Sequence, residues 1–336
     1  MADENRVTVP VPRRFGAGPV LRRLGAGLAT ILIVVGLVFA LLEVAPGSAV
    51  GPGDDPTVSA EDRARLEAAL GLDRPAPERF ARYLGGLVHG DLGISISRSR
   101  PVAEVLGEAL PPTLLLSGCA LAVAFALGIA LGTRAAARPR GAAEWTVRFG
   151  LPALDAAPPF WLGLVAILVF AWKLGWLPAS HLRSPAGSGP AAPLDLLAHL
   201  ALPVAVLALP AAASVARHQW DAMRRALDSP AAHTARALGV PERRLVWHQA
   251  FRAALQPALV LLGLGLPALV GGAAVVEVVF SWPGLGALSQ RALLARDAPL
   301  ALGALLLYAA LVVAGGAAAE LLARWADPRL REESHR

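Results

Sequence analysis

The sequence predicts an all-α membrane protein, a bundle of six transmembrane helices, and three observations carry that expectation. Of 336 residues, 55% are hydrophobic and only 17% are charged, whereas a soluble domain carries charge on about a quarter of its residues. The apolar residues gather in six runs, each near the ~20 residues that cross a bilayer core at ~1.5 Å per residue. Basic residues sit between those runs, and they do so unevenly.

The first run, Leu24 to Ala45, follows Arg22 and Arg23. It exceeds the ~7–15 apolar residues of a signal peptide and reads as a retained helix. The others lie at Leu114–Thr133, Phe149–Trp172, Leu196–Ala216, Pro257–Phe280 and Ala298–Ala319. The expected organisation is a tail over 1–23, a first helix over 24–45 and an external segment over 46–111. A five-helix core over 112–323 and a tail over 324–336 complete it.

Orientation follows from the short loops. Arg134, Arg138, Arg140 and Arg148 follow the second run, and Arg217, Arg224, Arg225, Arg236, Arg243, Arg244 and Arg252 follow the fourth. The loops after runs three and five hold only Lys173, Arg183, Arg291 and Arg296. With 11 basic residues against 4, the Arg-rich loops and both termini are expected in the cytoplasm of a multi-pass plasma-membrane protein. The segment 46–111 carries 7 Arg against 10 acids and is long enough for its own charge to count little.

Net charge is +6, from 30 Arg and one Lys against 25 acids. Spread between apolar runs, these arginines do not form a nucleic-acid face. A single Cys119 excludes an intrachain disulfide or a cysteine metal cage and reads as an apolar packing residue. Pro158, Pro159, Pro203, Pro210, Pro267, Gly271 and Gly272 fall within runs, where such residues kink helices or let backbones approach. No 20- to 50-residue repeat stands out.

The stretch 217–256 is not patterned as a plain connector. Ser229 and Pro230 start a short helix through Thr234, Ala235 and Ala237; Gly239 closes it, and Pro241 with Glu242 opens a second running to Pro257. Leu245, Val246 and Ala250 alternate with Arg243, Arg244, His248 and Arg252, giving one face for the bundle and one for solvent. An amphipathic helix lying on anionic lipid fits the same pattern.

Residues Ala232–Pro257, AHTARALGVPERRLVWHQAFRAALQP, resemble the EAA loop of ABC-transporter permeases, in the form found in the first permease subunit of dipeptide, oligopeptide and nickel importers. Further segments are similar to the same family in the same order: GDLGISISRSRPV (90–102), Leu110–Arg134, Leu151–Pro178 with LDAAPPFWLG and LGWLP, EVVFSWPGLGAL (277–288), Ala295–Leu300 and Asp327–Leu330. The resemblance implies a type I importer permease bundle with a cytoplasmic coupling helix that inserts into a groove of an ATPase subunit. It implies coupling roles for His233, Thr234, Ala235, Arg236, Ala237, Gly239, Arg243, Arg244 and Arg252, with departures from the usual residues at His233 and Leu238. Implied partners are a second homologous permease, two ATP-binding subunits carrying ATP and Mg, an extracytoplasmic solute-binding protein and membrane lipid, with no nucleic acid. The implied cargo is a peptide or similar solute, with nickel possible.

The chain itself is expected to bind no cofactor or metal and to catalyse nothing. The phosphate loop needs Gly-Lys-Ser or Gly-Lys-Thr, and the only lysine follows Trp172. The His-Glu-x-x-His pattern is absent, and seven histidines show no i, i+4 pair. Ser117 and His199 are the one conceivable hydrolase pair; a secondary transporter would need buried midplane carboxylates and inverted repeats. Ionisable residues near spans are functional candidates. Asp155, ahead of Pro158 and Pro159, either caps or braces the kink there or meets substrate, and Glu277 lines an exit or sits at the interface. Ser281–Leu288, with Trp282, Pro283 and Gly284, resembles the family's short external gate helix, though a bilayer belt also places Trp there.

Overall fold

A backbone in hydrocarbon has no water to bond, so an apolar chain closes its hydrogen bonds within helices. The computed structural model describes residues 17–44, 61, 73–184 and 192–326; outside helices it holds turns and one isolated bridge between Ile94 and Pro101, with no strand among the described residues. Helices α1 (Ala17–Val44), α2 (Ala76–Val88) and α3 (Val102–Ala137) come first. Then α4 (Ala142–Asp155) and α5 (Pro159–Lys173) meet at a bend of 101°. α6 (Ala192–Leu227) is followed by the short α7 (Pro230–Ala237). α8 is continuous through Glu242–Arg244, the π-wound Leu245–Ala250 and Phe251–Val279, and α9 (Leu285–Leu294) and α10 (Ala298–Ala326) close the chain.

Helices α1, α3, α6 and α10 are each long and apolar enough to span, and the bent α4–α5 pair makes a fifth when taken as one. α8 holds no charge between Arg252 and Glu277 and takes the place of the fifth expected run. The axis of the bundle is the contact of α3 with α6. Gly128 and Gly132 stand four apart, and a Cβ on Gly132 would lie 2.5 Å from the Ala216 carbonyl oxygen, one on Gly128 2.6 Å from Val215 Cβ. Such spacing of small residues lets two backbones touch where lipid supplies no hydrophobic drive. Gln219 Nε2 donates to Thr133 Oγ1 at 3.2 Å across the same seam. α8 and Trp282 complete the largest core cluster around Leu116, Phe125, Leu207 and Phe280. α1 is peripheral, Val35 being its only buried side chain among those described, and its far end holds α2 through the Phe39–Phe80 rings, 5.0 Å apart, and an Arg79–Glu43 ion pair.

The kink expected at Pro158 and Pro159 breaks run three: Pro158 is extended at ψ 135° and Pro159 begins a new helix, because successive prolines remove two donors and push the preceding residue out of the helical region. Other expectations are corrected. Run four does not stop at Ala216. α6 continues to Leu227 because Ala222, Met223 and Leu227 still find a core, in common with α7 and the start of α8. The helix begun at Pro241 passes Pro257 into α8, and Pro203 and Pro210 leave α6 unbroken. Of the expected external segment, 102–111 is already helix α3, while 46–60 and 62–72 lie outside the described residues, as do 1–16 and 327–336 of the tails.

Candidate functional site

At the Arg-rich end, α7 is defined by its caps. The Ser229 hydroxyl accepts from Ala232 N at 3.3 Å and donates to Ala226 O at 2.7 Å, so one side chain caps α7 and ties it to the end of α6. At the other end Gly239 has φ +80°, the left-handed value that lets Gly239 N reach Arg236 O at 2.9 Å and Val240 N reach Ala235 O at 3.0 Å. These two bonds form the Schellman closure. Arg236 spans the whole hairpin: Nε and Nη2 donate to the Glu242 carboxylate at 3.0 and 2.9 Å, and Nη1 donates to Leu227 O at 2.9 Å. The guanidinium beside it holds the Glu242 carboxyl below the usual carboxylate range, against a smaller upward push from burial.

Ala232 and Ala235 face inward against Met223, Leu227, Leu245, Val246 and Ala250. His233, Thr234, Ala237, Leu238 and Gly239 are exposed, Leu238 at 79%. The nine expected coupling residues thus divide. Ala235 is an inward packing residue, Arg236 is an internal brace, and His233, Thr234, Ala237 and Gly239 form a protruding surface. Arg243, Arg244 and Arg252 lie exposed on α8, opposite buried Leu245, Val246 and Ala250, as the alternation required.

At the opposite end, Glu277 and Trp282 are both fully buried. Thr113 Oγ1 donates to Glu277 Oε1 at 2.6 Å, and Gly286 N and Ala287 N donate to Oε2 at 2.6 and 3.2 Å. A carboxyl from α8 therefore caps the first turn of α9, and Thr113 Oγ1 accepts Leu285 N at 2.8 Å beside it. Trp282 Nε1 donates to Pro112 O at 2.9 Å, fastening the same turn to α3. Space is the second constraint: a Cβ on Gly284 would lie 2.2 Å from Glu277 Oε1, and one on Gly286 2.3 Å from Ala274 Cα. Trp282, Pro283 and Gly284 stand ahead of α9 rather than within it, and burial overturns the belt reading for Trp282 and the interfacial reading for Glu277.

A second carboxylate caps α10. Asp297, also fully buried, accepts from Ser97 N at 2.9 Å, Ser97 Oγ at 2.7 Å, Ser95 Oγ and, at 3.2 Å, Leu300 N. Burial pushes its carboxyl up, but the four hydrogen bonds from Ser95, Ser97 and Leu300 outweigh that and the net displacement is downward. Asp155 does not cap α5. It stands 3.7 Å from Arg217 of α6, both side chains about half exposed, and so links the bend to the bundle axis.

Ser117 Oγ is buried without a partner and His199 Nδ1 engages the Asp195 carbonyl of its own helix at 2.8 Å, so the conceivable hydrolase pair is not joined.

Residues 128–332 match the binding-protein-dependent transport system inner membrane component family. The chain belongs to this family, the permease subunits of ABC importers. It is 34% identical over 295 residues to the oligopeptide transport system permease protein AppB of Bacillus subtilis strain 168, covering 88% of this chain and 93% of that protein. It is 35% identical over 303 residues to DdpB of Escherichia coli K12, named as a probable D,D-dipeptide transport system permease protein, covering 83% and 89%. As a member of this permease family, the chain is not itself catalytic.

The family match contains α7, Glu277 and Asp297 but begins after their partners Thr113, Ser95 and Ser97. Those partners were missed by sequence reasoning. The signal for Asp297 was present, since Asp followed by Ala-Pro at a helix start is a capping pattern. Nothing local marks Thr113 as the partner of a residue 164 positions away.

Proposed function

We propose that this permease moves peptides or similar polar solutes through the bundle by alternating access, powered by two ATP-binding subunits that hold ATP and Mg. The remaining partners are a second homologous permease and an extracytoplasmic solute-binding protein that delivers the cargo. The exposed face of α7 carries the reading. A helix of 8 residues, narrow because it is rich in alanine, projects at the Arg-rich end and is rigidly clamped to α6 and α8. An element built so can enter a partner's groove and pass its displacement into the two helices. His233, Thr234, Ala237 and Gly239 form the inserted surface, with Ala235 and Arg236 supporting it from behind. Arg243, Arg244 and Arg252 extend a positive flank. The Arg-rich end and both termini then face the cytoplasm of a plasma-membrane complex, and Glu277, Trp282, Pro283 and Gly284 hold the external gate. Peptide cargo follows the names of the relatives.

The test is affinity purification of the full chain from its native membrane in mild detergent, joined to uptake of labelled di- and oligopeptides in cells lacking it. Co-purification of a phosphate-loop ATPase and a second permease, with peptide uptake lost in the deletion strain, is the expected result. A chain that emerges alone, or peptide uptake that survives deletion, contradicts the proposal.

A further inference from the structure

We infer that the groove at the start of α8 binds the phosphate headgroup of an anionic phospholipid. This open groove of about 660 Å³ is lined by Pro241, Arg243, Arg244, Trp247 and His248. No residue of α7 lines it, so it stands apart from the projecting face of His233, Thr234, Ala237 and Gly239 and shares only Arg243 and Arg244 with the flank beside that face.

Its charge is uncompensated. Glu242, the nearest acid in sequence, already receives two bonds from Arg236, and neither Arg243 nor Arg244 forms an ion pair among the described residues. His248 and Arg252 follow Arg244 at four-residue spacing, all exposed, so donors continue along the same side. Guanidinium forks match phosphate oxygens in shape as well as charge.

The depth selects lipid over a soluble anion. Trp247 is 50% exposed and pairs with Phe251, ring centroids 5.7 Å apart. Trp220 of α6 packs both against the cluster of Leu245, Val246 and Ala250 and against that of Val147 and Leu151. The π-wound stretch Thr146–Gly150 within α4 and the π-wound Leu245–Ala250 of α8 therefore flank the same level of α6. On α4 that level carries exposed Trp145 and Phe149, rings 6.0 Å apart, with Arg148 5.8 Å over Phe149. Exposed tryptophans with arginines at one height mark a headgroup layer, and beyond Arg252 α8 carries no charge as far as Glu277, with Gln256 its one polar side chain there. Phosphate of a lipid whose chains lie along that apolar stretch reaches the groove without leaving its layer.

The experiment places the full chain in nanodiscs of phosphatidylcholine and phosphatidylglycerol in equal amounts and counts the lipids retained after detergent exchange by native mass spectrometry. The chain should retain phosphatidylglycerol over phosphatidylcholine by on the order of tenfold, a ratio falling toward one in Arg243→Gln with Arg244→Gln and recovered only in part in the double lysine variant, which keeps the charge but not the fork. Excess inorganic phosphate should not displace the lipid; displacement marks a free-phosphate site and overturns the inference. Equal retention of both lipids in the unaltered chain overturns it too. Hydrogen exchange of residues 241–248 separates the remaining occupant: protection should appear in phosphatidylglycerol discs with the chain alone. Protection seen only after an ATP-binding subunit is added assigns the groove to an acidic protein surface instead. A glutamine variant that fails to fold leaves the exchange comparison, made on the unaltered chain, to decide.

Discussion

The two ends of the bundle are fastened by opposite means. At the Arg-rich end α7 hangs from exposed contacts: a serine cap, a glycine closure and a guanidinium fork, with alanines as its only inward anchors. At the other end α9 is held from inside by a buried carboxyl, a buried indole and glycines with no room for a methyl group. An element attached by its ends keeps a face free for another protein. An element capped by its neighbours' side chains moves only when they move. That difference separates substitutions that damage the molecule from those that damage only its partnership.

The largest effects belong to the buried end. Gly286→Ala drives a Cβ to 2.3 Å from Ala274 Cα, and Glu277→Ala strips three hydrogen bonds from α9 and Thr113. Each should cost about 3 kcal/mol or more, seen as lost detergent-stable yield and a lower melting temperature. A Glu277→Ala protein that melts with the unaltered chain would show that α9 is held by packing alone.

Asp297 comes next. Its folded pKa lies below the unfolded value near ~3.9, so its contribution is complete above that value and is lost as pH falls through the lower folded one. Asp297→Asn should lower stability at neutral pH by about 1–3 kcal/mol and should flatten the acid limb of a melting-temperature profile. An unchanged acid limb would place the acid-sensitive group elsewhere.

Smaller still, Gly239→Ala forces φ +80° on a residue with a Cβ, at about 1 kcal/mol, although nothing lies within 4 Å of that position. Hydrogen exchange should localise the change to 229–242; spread through α6 and α8 would mean that the hairpin is not a separate unit.

Hydropathy made the spans legible, and cap chemistry the hairpin: Ser229, Pro230, Gly239 and Pro241 stand where helix starts and stops require. The two-sided pattern of α8 also appears as written, Leu245 buried and Arg244 exposed. Proline was a poor guide. Pro111 and Pro112, the first exposed and the second half-buried, stay inside α3 between buried Ala109 and Thr113, while exposed Pro158 and Pro159 break their span. Packing decides which pair yields, and packing is not local. For the same reason Thr113 with Glu277, 164 residues apart, and Ser97 with Asp297, 200 apart, could not be read in advance.

The central claim is that the outward face of α7 serves a partner and contributes little to the fold. Thr234 is exposed, and its hydroxyl bonds only Pro230 O of its own helix, at 3.0 Å. The deciding measurement is therefore Thr234→Arg, with retention of the proposed ATP-binding subunit recorded on the co-purified complex and melting temperature on the chain purified apart from it. Retention should be lost while the melting temperature, taken on the isolated chain, stays within the span of a surface change, about 0.5 kcal/mol. Full retention, or a melting temperature that falls in step with retention, would contradict the claim.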